Sequence, residues 1–354
     1  MFFFGRKKSL LGLDIGTSSV KAVEMTRVGQ GLIISGMGRA EIESPEATGD
    51  AIQKALREGG IKSKRCVSAV SGRSVIHRQV PMMMIPDSEL KQAMEYEADK
   101  YIPFDVSEVQ LDAQRLRDLA MTTEDTQTTG SSTSIPAGGT AQMKVLLVAA
   151  KKNLIEEHVN LLQSVGLSPE IVDVDFLALG NAFELRNASL GINDSEVRAL
   201  VDIGASKTDI NIMRGNSSYF QREIFMAGYD LTEAIAKRFG EDPKDVEKMK
   251  RDPGGAFESM QDAMLPVLED IGSEIRLSFD YHENQYDQEV KEVYISGGTV
   301  LFPGIDNMLA QIFNLPIKVW DPTEGLEITG HGGQTGNNCD MAIAMGLASR
   351  LRNI

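Results

Sequence analysis

The chain has 354 residues, 42 % hydrophobic and 25 % charged, with 36 Lys and Arg against 51 Asp and Glu, for a formal charge of −15. That length suits two domains or one large bilobed one, and the acidic balance argues against nucleic acid as a general partner, because neutralising phosphates requires a basic face. Cys66 and Cys339 lie far apart without metal-ligand spacing, and His77, His158, His282 and His331 are scattered, so neither a zinc site nor an oxidising compartment is indicated.

The first residues, Met1-Phe2-Phe3-Phe4-Gly5-Arg6-Lys7-Lys8, set three Phe beside three bases. The apolar stretch that follows is cut at Asp14, which no secretory signal tolerates so early, and no run approaches the ~20 apolar residues of a membrane span. A frayed tail (residues 1–9) and a weak contact with an anionic surface both remain open. The expected location is cytoplasmic, with membrane attachment borrowed from a partner.

An apolar strand at 10–13 enters Asp14-Ile15-Gly16-Thr17-Ser18, and an alternating run at 20–25 leaves it, which reads as a β-hairpin. A strand at 31–42, a helix at 50–59 and a strand at 65–71 follow. A new segment opens near residue 77. Its extended run at 80–85 carries Pro81 and ends at Pro86. Asp87 is then placed to cap a helix in which Leu90, Met94 and Tyr101 recur near one face. Ile102-Pro103-Phe104 ends that helix, and a strand is expected at 108–116. Residues 118–141 are rich in Thr, Ser, Gly and acid, a composition that reads as a mobile loop. A strand at 144–150 and a helix at 154–165, capped by Asn153 and stopped by Gly166, close the segment.

Residues 169–184 cross to a second half, with Asp173 and Asp175 ahead of the small-residue helix Ala178-Leu179-Gly180-Asn181-Ala182. A second hairpin has strands at 199–201 and 208–213 around Asp202-Ile203-Gly204-Ala205-Ser206. Then come a strand at 218–225 and helices at 230–239, 243–251 and 261–282. A strand at 292–296 runs into Gly297-Gly298-Thr299, and a helix at 339–352 carries Gly346 among small and apolar residues.

The strongest signal is the duplication. Adding 188 to Asp14 gives Asp202, and the same shift carries Ile15 to Ile203, Gly16 to Gly204 and Ser18 to Ser206. A lone Asp-x-Gly marks many ordinary turns, but two matching hairpins suggest two turns facing each other across a cleft. The residue types suit a phosphate chain and its metal. Gly lets backbone N–H groups approach a phosphate oxygen. Asp is an oxygen ligand for Mg²⁺, which keeps several waters beside one or two carboxylates. Lys21, seven residues after Asp14, adds a point charge.

These residues resemble the superfamily of actin, sugar kinases and heat-shock ATPases. Leu13 to Ser19 looks like its first phosphate motif, Val201 to Ser206 like its second, and Val293 to Thr299 like its adenosine motif. Stretches 175–182 and 341–348 match its two interlobe connectors. The opening, Lys7 to Lys21, and Glu95-Tyr96-Glu97-Ala98-Asp99-Lys100-Tyr101-Ile102-Pro103-Phe104 are similar to the PilM family of type IV pilus assembly proteins. The resemblance implies an α/β, bilobed actin-like (ribonuclease H-like) ATPase fold with an FtsA-type inserted subdomain. The first lobe would comprise 10–78 with 166–190 and 337–354, the insert 79–165, and the second lobe 191–336.

The same resemblance implies a cytoplasmic scaffold, peripheral at the inner membrane, that serves pilus assembly and twitching motility. Its cofactors would be ATP and Mg²⁺, with ATPase activity at most slow. Its partner would be the cytoplasmic N-terminal peptide of a PilN-type membrane protein, held mainly by the insert and neighbouring first-lobe surface, with other pilus motor components as further candidates. Asp14 and Asp202 would hold Mg²⁺. Gly16, Thr17, Ser18, Lys21, Gly204 and Ser206 would hold phosphates. Gly228, Glu274 and Ser278 would line the nucleoside pocket, and Gly297 and Gly298 would back the adenine. Asp175 sits where many relatives place the acid that orients metal-bound water. Two departures weaken hydrolysis but not binding. Ala205 stands where a hydroxyl or Gly is common, and Asp175 lacks a following Pro and is one carbon shorter than Glu.

Two other functions compete. An FtsA-like division protein or polymerising actin relative shares the insert, but no amphipathic membrane helix follows Arg352. A small-molecule kinase would need a base beside a substrate hydroxyl, and no such pocket is legible. A Walker-type enzyme is excluded by the lack of Gly-Lys-Ser/Thr. For Met82-Met83-Met84 a buried strand is favoured over a partner surface. Lys237 and Arg238 read as solvated helix charge, and Trp320 and Tyr294 as core. Asp173 reads equally as a helix cap or a metal residue. The stretch 330–336 reads as a loop.

Overall fold

The computed structural model describes residues 9–116, 142–331 and 337–352. The tail residues 1–8, the expected loop at 118–141 and most of the glycine-rich stretch lie outside the described residues. The chain divides into two compact units, Met1–Ala69 with Leu161–Ile354, and Val70–Asn160.

The first unit opens with β1 (Ser9–Ile15), β2 (Ser19–Val28) and β3 (Gly31–Glu41), then α1 (Thr48–Glu58) and β4 (Arg65–Val70). The chain passes into the second unit through β5 (Val75–Met83), α2 (Asp87–Glu97), β6 (Val109–Leu116), β7 (Gln142–Lys151) and the start of α3 (Lys152–Ser164). Back in the first unit come β8 (Ser168–Val174), α4 (Asp175–Leu190), β9 (Val197–Ile203), β10 (Thr208–Arg214) and β11 (Ser217–Ile224). The helices α5 (Gly228–Phe239), α6 (Pro243–Arg251) and α7 (Phe257–Tyr286) precede β12 (Glu292–Ser296), α8 (Ile305–Phe313), β13 (Ile317–Val319), β14 (Ile328–His331) and α9 (Ala342–Ala348).

Two sheets build the first unit, one ordered β14-β3-β2-β1-β4-β8 and the other β11-β10-β9-β12-β13. The repeat in sequence is a repeat in topology. In each sheet the strand ending in Asp-Ile pairs antiparallel with the next strand and parallel with a later one: β1 with β2 and β4, β9 with β10 and β12. Strands paired on both sides and covered on both faces must be apolar throughout. Leu10, Leu11, Leu13, Ala199, Leu200 and Val201 are accordingly all buried.

Small residues let backbone touch backbone where helices cross. A Cβ on Gly346 of α9 would lie 1.7 Å from the Ala178 carbonyl oxygen of α4, and one on Gly12 would lie 2.1 Å from the Ala344 oxygen. The expected terminal helix is shorter than its apolar run. Only Ala342–Ala348 is α-helical, between 3₁₀ turns at Cys339–Met341 and Ser349–Arg352. The long α7 lays Met260, Met264, Leu268, Ile271, Ile275 and Phe279 into the core of the five-stranded sheet. Trp320 and Tyr294 are buried, each edge-on to Phe183.

The second unit has its own core of Val80, Leu90, Met94, Ala98, Val109, Leu111 and the inward residues of β7, on a sheet ordered β5-β7-β6. Three expectations are corrected there. Asp87 is not the cap of α2 but its first residue; the cap position is Pro86, and the Asp87 carboxylate lies 3.1 Å from Arg115. Asn153 lies inside the first turn of α3. The methionine run is not buried: Met83 and Met84 are 60 % and 52 % exposed. Among the described residues β5 is an edge strand paired with β7 alone, and its last residue, Met83, is exposed. The short elements α8, β13 and β14 go beyond the sequence pattern, since three to nine residues leave little periodicity to read.

Candidate functional site

The two Asp-Ile-Gly turns meet within the first unit. Thr17 Oγ1 at the tip of the β1–β2 hairpin lies 2.7 Å from Ser206 Oγ at the tip of the β9–β10 hairpin, a hydrogen bond spanning 189 residues of sequence. Each turn closes in the same way. The Gly16 N–H donates to the Ser19 carbonyl at 3.1 Å, and the Gly204 N–H to the Lys207 carbonyl at 3.0 Å. A Cβ would crowd both turns, 3.2 Å from the Ser19 oxygen at Gly16 and 3.1 Å from the Lys207 oxygen at Gly204. Ser18 and Ser206 are partly exposed beside them, and Thr17 is exposed.

On the first hairpin Asp14 and Lys21 face each other in register, with Lys21 Nζ 3.2 Å from Asp14 Oδ2. Burial raises the Asp14 pKa above its usual value in spite of that lysine. On Lys21 burial opposes the charge, but Asp14, then Asp202 and Asp340, outweigh it and hold the ammonium above its ordinary range. Beside it Arg39 of β3 grips Asp340 through two nitrogens at 2.7 and 2.8 Å and Asn338 at 3.1 Å, tying the approach to α9 to this sheet.

On the second hairpin Asp202 is anchored by Ser296 of β12, whose hydroxyl donates to Oδ1 at 2.8 Å. Burial pushes the Asp202 carboxyl up to about 6. Sequence reasoning missed the adjacent ion cluster. Lys207 Nζ lies 2.7 Å from Asp175 at the start of α4, 2.8 Å from Asp209 and 2.8 Å from Glu223. A signal was present: the 188-residue shift carries Lys21 onto Asp209 and Ser19 onto Lys207, so the charge at the duplicated strand position is inverted. Burial, opposed by Lys207, pushes Asp209 up to about 8.

Above the second turn the Gly204 carbonyl accepts from the Thr299 hydroxyl at 2.7 Å and from the Gly228 N–H at 3.1 Å. Gly297, at φ +99°, presses on Ile203, where a Cβ would lie 2.3 Å from the carbonyl oxygen, and Gly298 faces open space. Gly228 leads to a second missed group. Lys250 Nζ of α6 lies 3.4 Å from the Gly228 oxygen, 2.9 Å from Thr232 and 3.0 Å from Glu247. Glu274 and Ser278 do share a helix face, but they hold Arg222 of β11, at 2.6 and 3.5 Å. Asp173 is neither cap nor cleft residue. Arg350 takes its Oδ2 at 2.6 and 2.7 Å. Lys237 and Arg238 are exposed on α5.

The residues fit a magnesium nucleotide. Among the described residues no three His, Cys, Asp or Glu side chains form a ready metal cage; an ion that keeps several waters needs only one or two carboxylates, and Asp14 and Asp202 offer two. The glycine turns and Lys21 suit phosphate oxygens.

The family described as type IV pilus assembly protein PilM matches residues 12–352 of this chain. Among solved structures the chain is similar to one titled PilM-PilN type IV pilus biogenesis complex, at 25 % identity and TM-score 0.78, covering 96 % of this chain and 98 % of that one. It is also similar to the ethanolamine utilization protein EutJ from Carboxydothermus hydrogenoformans, at 15 % identity and TM-score 0.52, covering 97 % and 89 %. A third match is component A of the (R)-2-hydroxyglutaryl-CoA dehydratase of Acidaminococcus fermentans, at 10 % identity and TM-score 0.50, covering 98 % of each chain. The last two show the fold alone, which is the actin-like ATPase fold.

Proposed function

Because this chain belongs to the PilM family of type IV pilus assembly proteins, we propose that it is a nucleotide-dependent scaffold of the pilus assembly platform, binding Mg-ATP between its two hairpins and the N-terminal peptide of a PilN-type protein elsewhere. The observation that supports the nucleotide half is the Thr17–Ser206 contact, which brings the two copies of the repeated Asp-Ile-Gly turn together. The partner half is supported by the solved PilM-PilN complex that this chain resembles. No described helix is long and apolar enough to cross a membrane, and a membrane-anchored partner would bring the scaffold to the inner membrane.

Within the site Asp14 and Asp202 would hold Mg²⁺, which when bound would screen the phosphate charge. Gly16, Thr17, Ser18, Lys21, Gly204 and Ser206 would face the phosphates. Gly228, Gly297 and Gly298 would border the nucleoside, and the Lys250–Glu247 pair beside Gly228 supplies polar groups to the same wall. If lobe closure sets the partner groove, ATP and peptide must each tighten the other by the same factor. Calorimetric titration of a synthetic PilN-type N-terminal peptide, with and without Mg-ATP, measures that factor. Absence of peptide binding in both arms would remove the partner. Asp14→Ala should abolish Mg-ATP binding while leaving the far-ultraviolet circular dichroism of the protein intact, and unchanged affinity would take Asp14 out of the site.

A further inference from the structure

Lys207 grips the acid on which hydrolysis would depend. In ATP hydrolysis a water oxygen bonds to the terminal phosphorus, the bond to the bridging oxygen breaks, ADP leaves with that electron pair, and the proton of the water must reach an acceptor. In the proposed nucleotide site, on which this inference rests, Asp175 would be the carboxylate that orients that water or takes that proton. Its Oδ2 is 2.7 Å from Lys207 Nζ. An ammonium has three N–H donors, and Asp175, Asp209 and Glu223 stand within 2.8 Å of this one.

We propose that Lys207 is a positioning residue that holds Asp175 as an ion pair and so keeps the cleft binding ATP instead of hydrolysing it. Four features support this. The Lys207 and Asp175 side chains are only 17 % and 10 % exposed, so water screens their attraction weakly. An opposite charge at this distance lowers the basicity of a carboxylate and occupies one of its lone pairs. Lys207 cannot swing away freely, because the same ammonium also donates to Asp209 and Glu223, whose carboxyl groups arrive from β10 and β11. The lysine is also peculiar to the second hairpin: its counterpart in the first is Ser19.

The test measures single-turnover ATP hydrolysis and ATP affinity in the full chain. Lys207→Met should raise the hydrolysis rate at least tenfold with affinity unchanged within about threefold. A lysine that served only the fold would lower both when removed. Since Lys207→Met removes the ammonium shared by three carboxylates, a second variant adds Asp209→Asn and Glu223→Gln, so that of the three only Asp175 remains an acid. It should show the same rise, and adding Asp175→Asn should return the rate to the wild-type level. In the nucleotide-free protein, the urea midpoint lost in Lys207→Met should be partly recovered by Asp175→Asn. Unchanged hydrolysis in the variants that bind ATP normally would overturn the proposal, as would a tenfold loss of ATP affinity, which would make Lys207 a phosphate ligand. Failure of wild-type protein to bind ATP would overturn the nucleotide site itself, and it is read before any variant is made.

Discussion

At Asp209 burial and pairing pull in opposite directions, and burial wins. Three carboxylates surround one ammonium, so the cluster relieves its excess charge by keeping a proton, and the Asp209 carboxyl is pushed from 3.8 up to about 8. A folded-state pKa above the unfolded one means that the native state binds more protons. The contribution of this group is therefore most favourable at acid pH and is lost as pH rises from 3.8 towards about 8. Asn at this position cannot titrate. The urea midpoint of Asp209→Asn should fall less over that window than the wild-type midpoint does, and parallel pH profiles would show that Asp209 titrates normally.

Two element contacts bear on stability and on the nucleotide wall. Helices α4 and α9 cross with the Gly346 Cα against the Ala178 carbonyl, and a Cβ there would sit 1.7 Å from that oxygen. Backbone cannot yield as a flexible side chain does, so Gly346→Ala should cost about 1–3 kcal/mol or more through overpacking. Urea unfolding reads the loss, and a cost below ~0.5 kcal/mol, typical of a surface change, would mean that the helices part without penalty. The α5–α6 contact acts on binding. Lys250 is buried against the Gly228 carbonyl, Thr232 and Glu247. Lys250→Ala should weaken Mg-ATP binding by about tenfold, or ~1.4 kcal/mol, in a calorimetric titration. Equal affinity would place the nucleoside away from this wall.

Over the whole molecule the two thiols report on global opening. Cys66 and Cys339 are both free and buried, and burial pushes each thiol up to about 12. Reaction requires the thiolate and access to it. Cys66 sits in the six-stranded sheet on β4, and Cys339 belongs to the core of the five-stranded sheet. Both should resist a disulfide-exchange reagent in native buffer and react fully in strong urea. Fast native labelling of one thiol alone would show that its sheet opens independently of the other.

Local signals were legible directly. The hairpins around Asp14 and Asp202 are short-range structures, and their duplication stands out at any distance along the chain. The 3.6-residue pattern of α7 and the stop at Gly166, which has φ +81°, are likewise fixed by neighbours in sequence. The wall that a side chain meets is a different matter. Spacing put Glu274 and Ser278 on one helix face, and packing turned that face to Arg222. Asp173 found Arg350 177 residues away. Met83 and Met84 are apolar, yet they lie exposed at the end of an edge strand. By itself the sequence determined the repeated turns, the residue types offered to phosphate and metal, and the actin-like fold class, because each is written in local chemistry or in repetition. Only the tertiary structure decided that the hairpin tips touch and that Lys207 gathers acids from α4, β10 and β11, because those charges are brought together by the packing of elements distant in the chain.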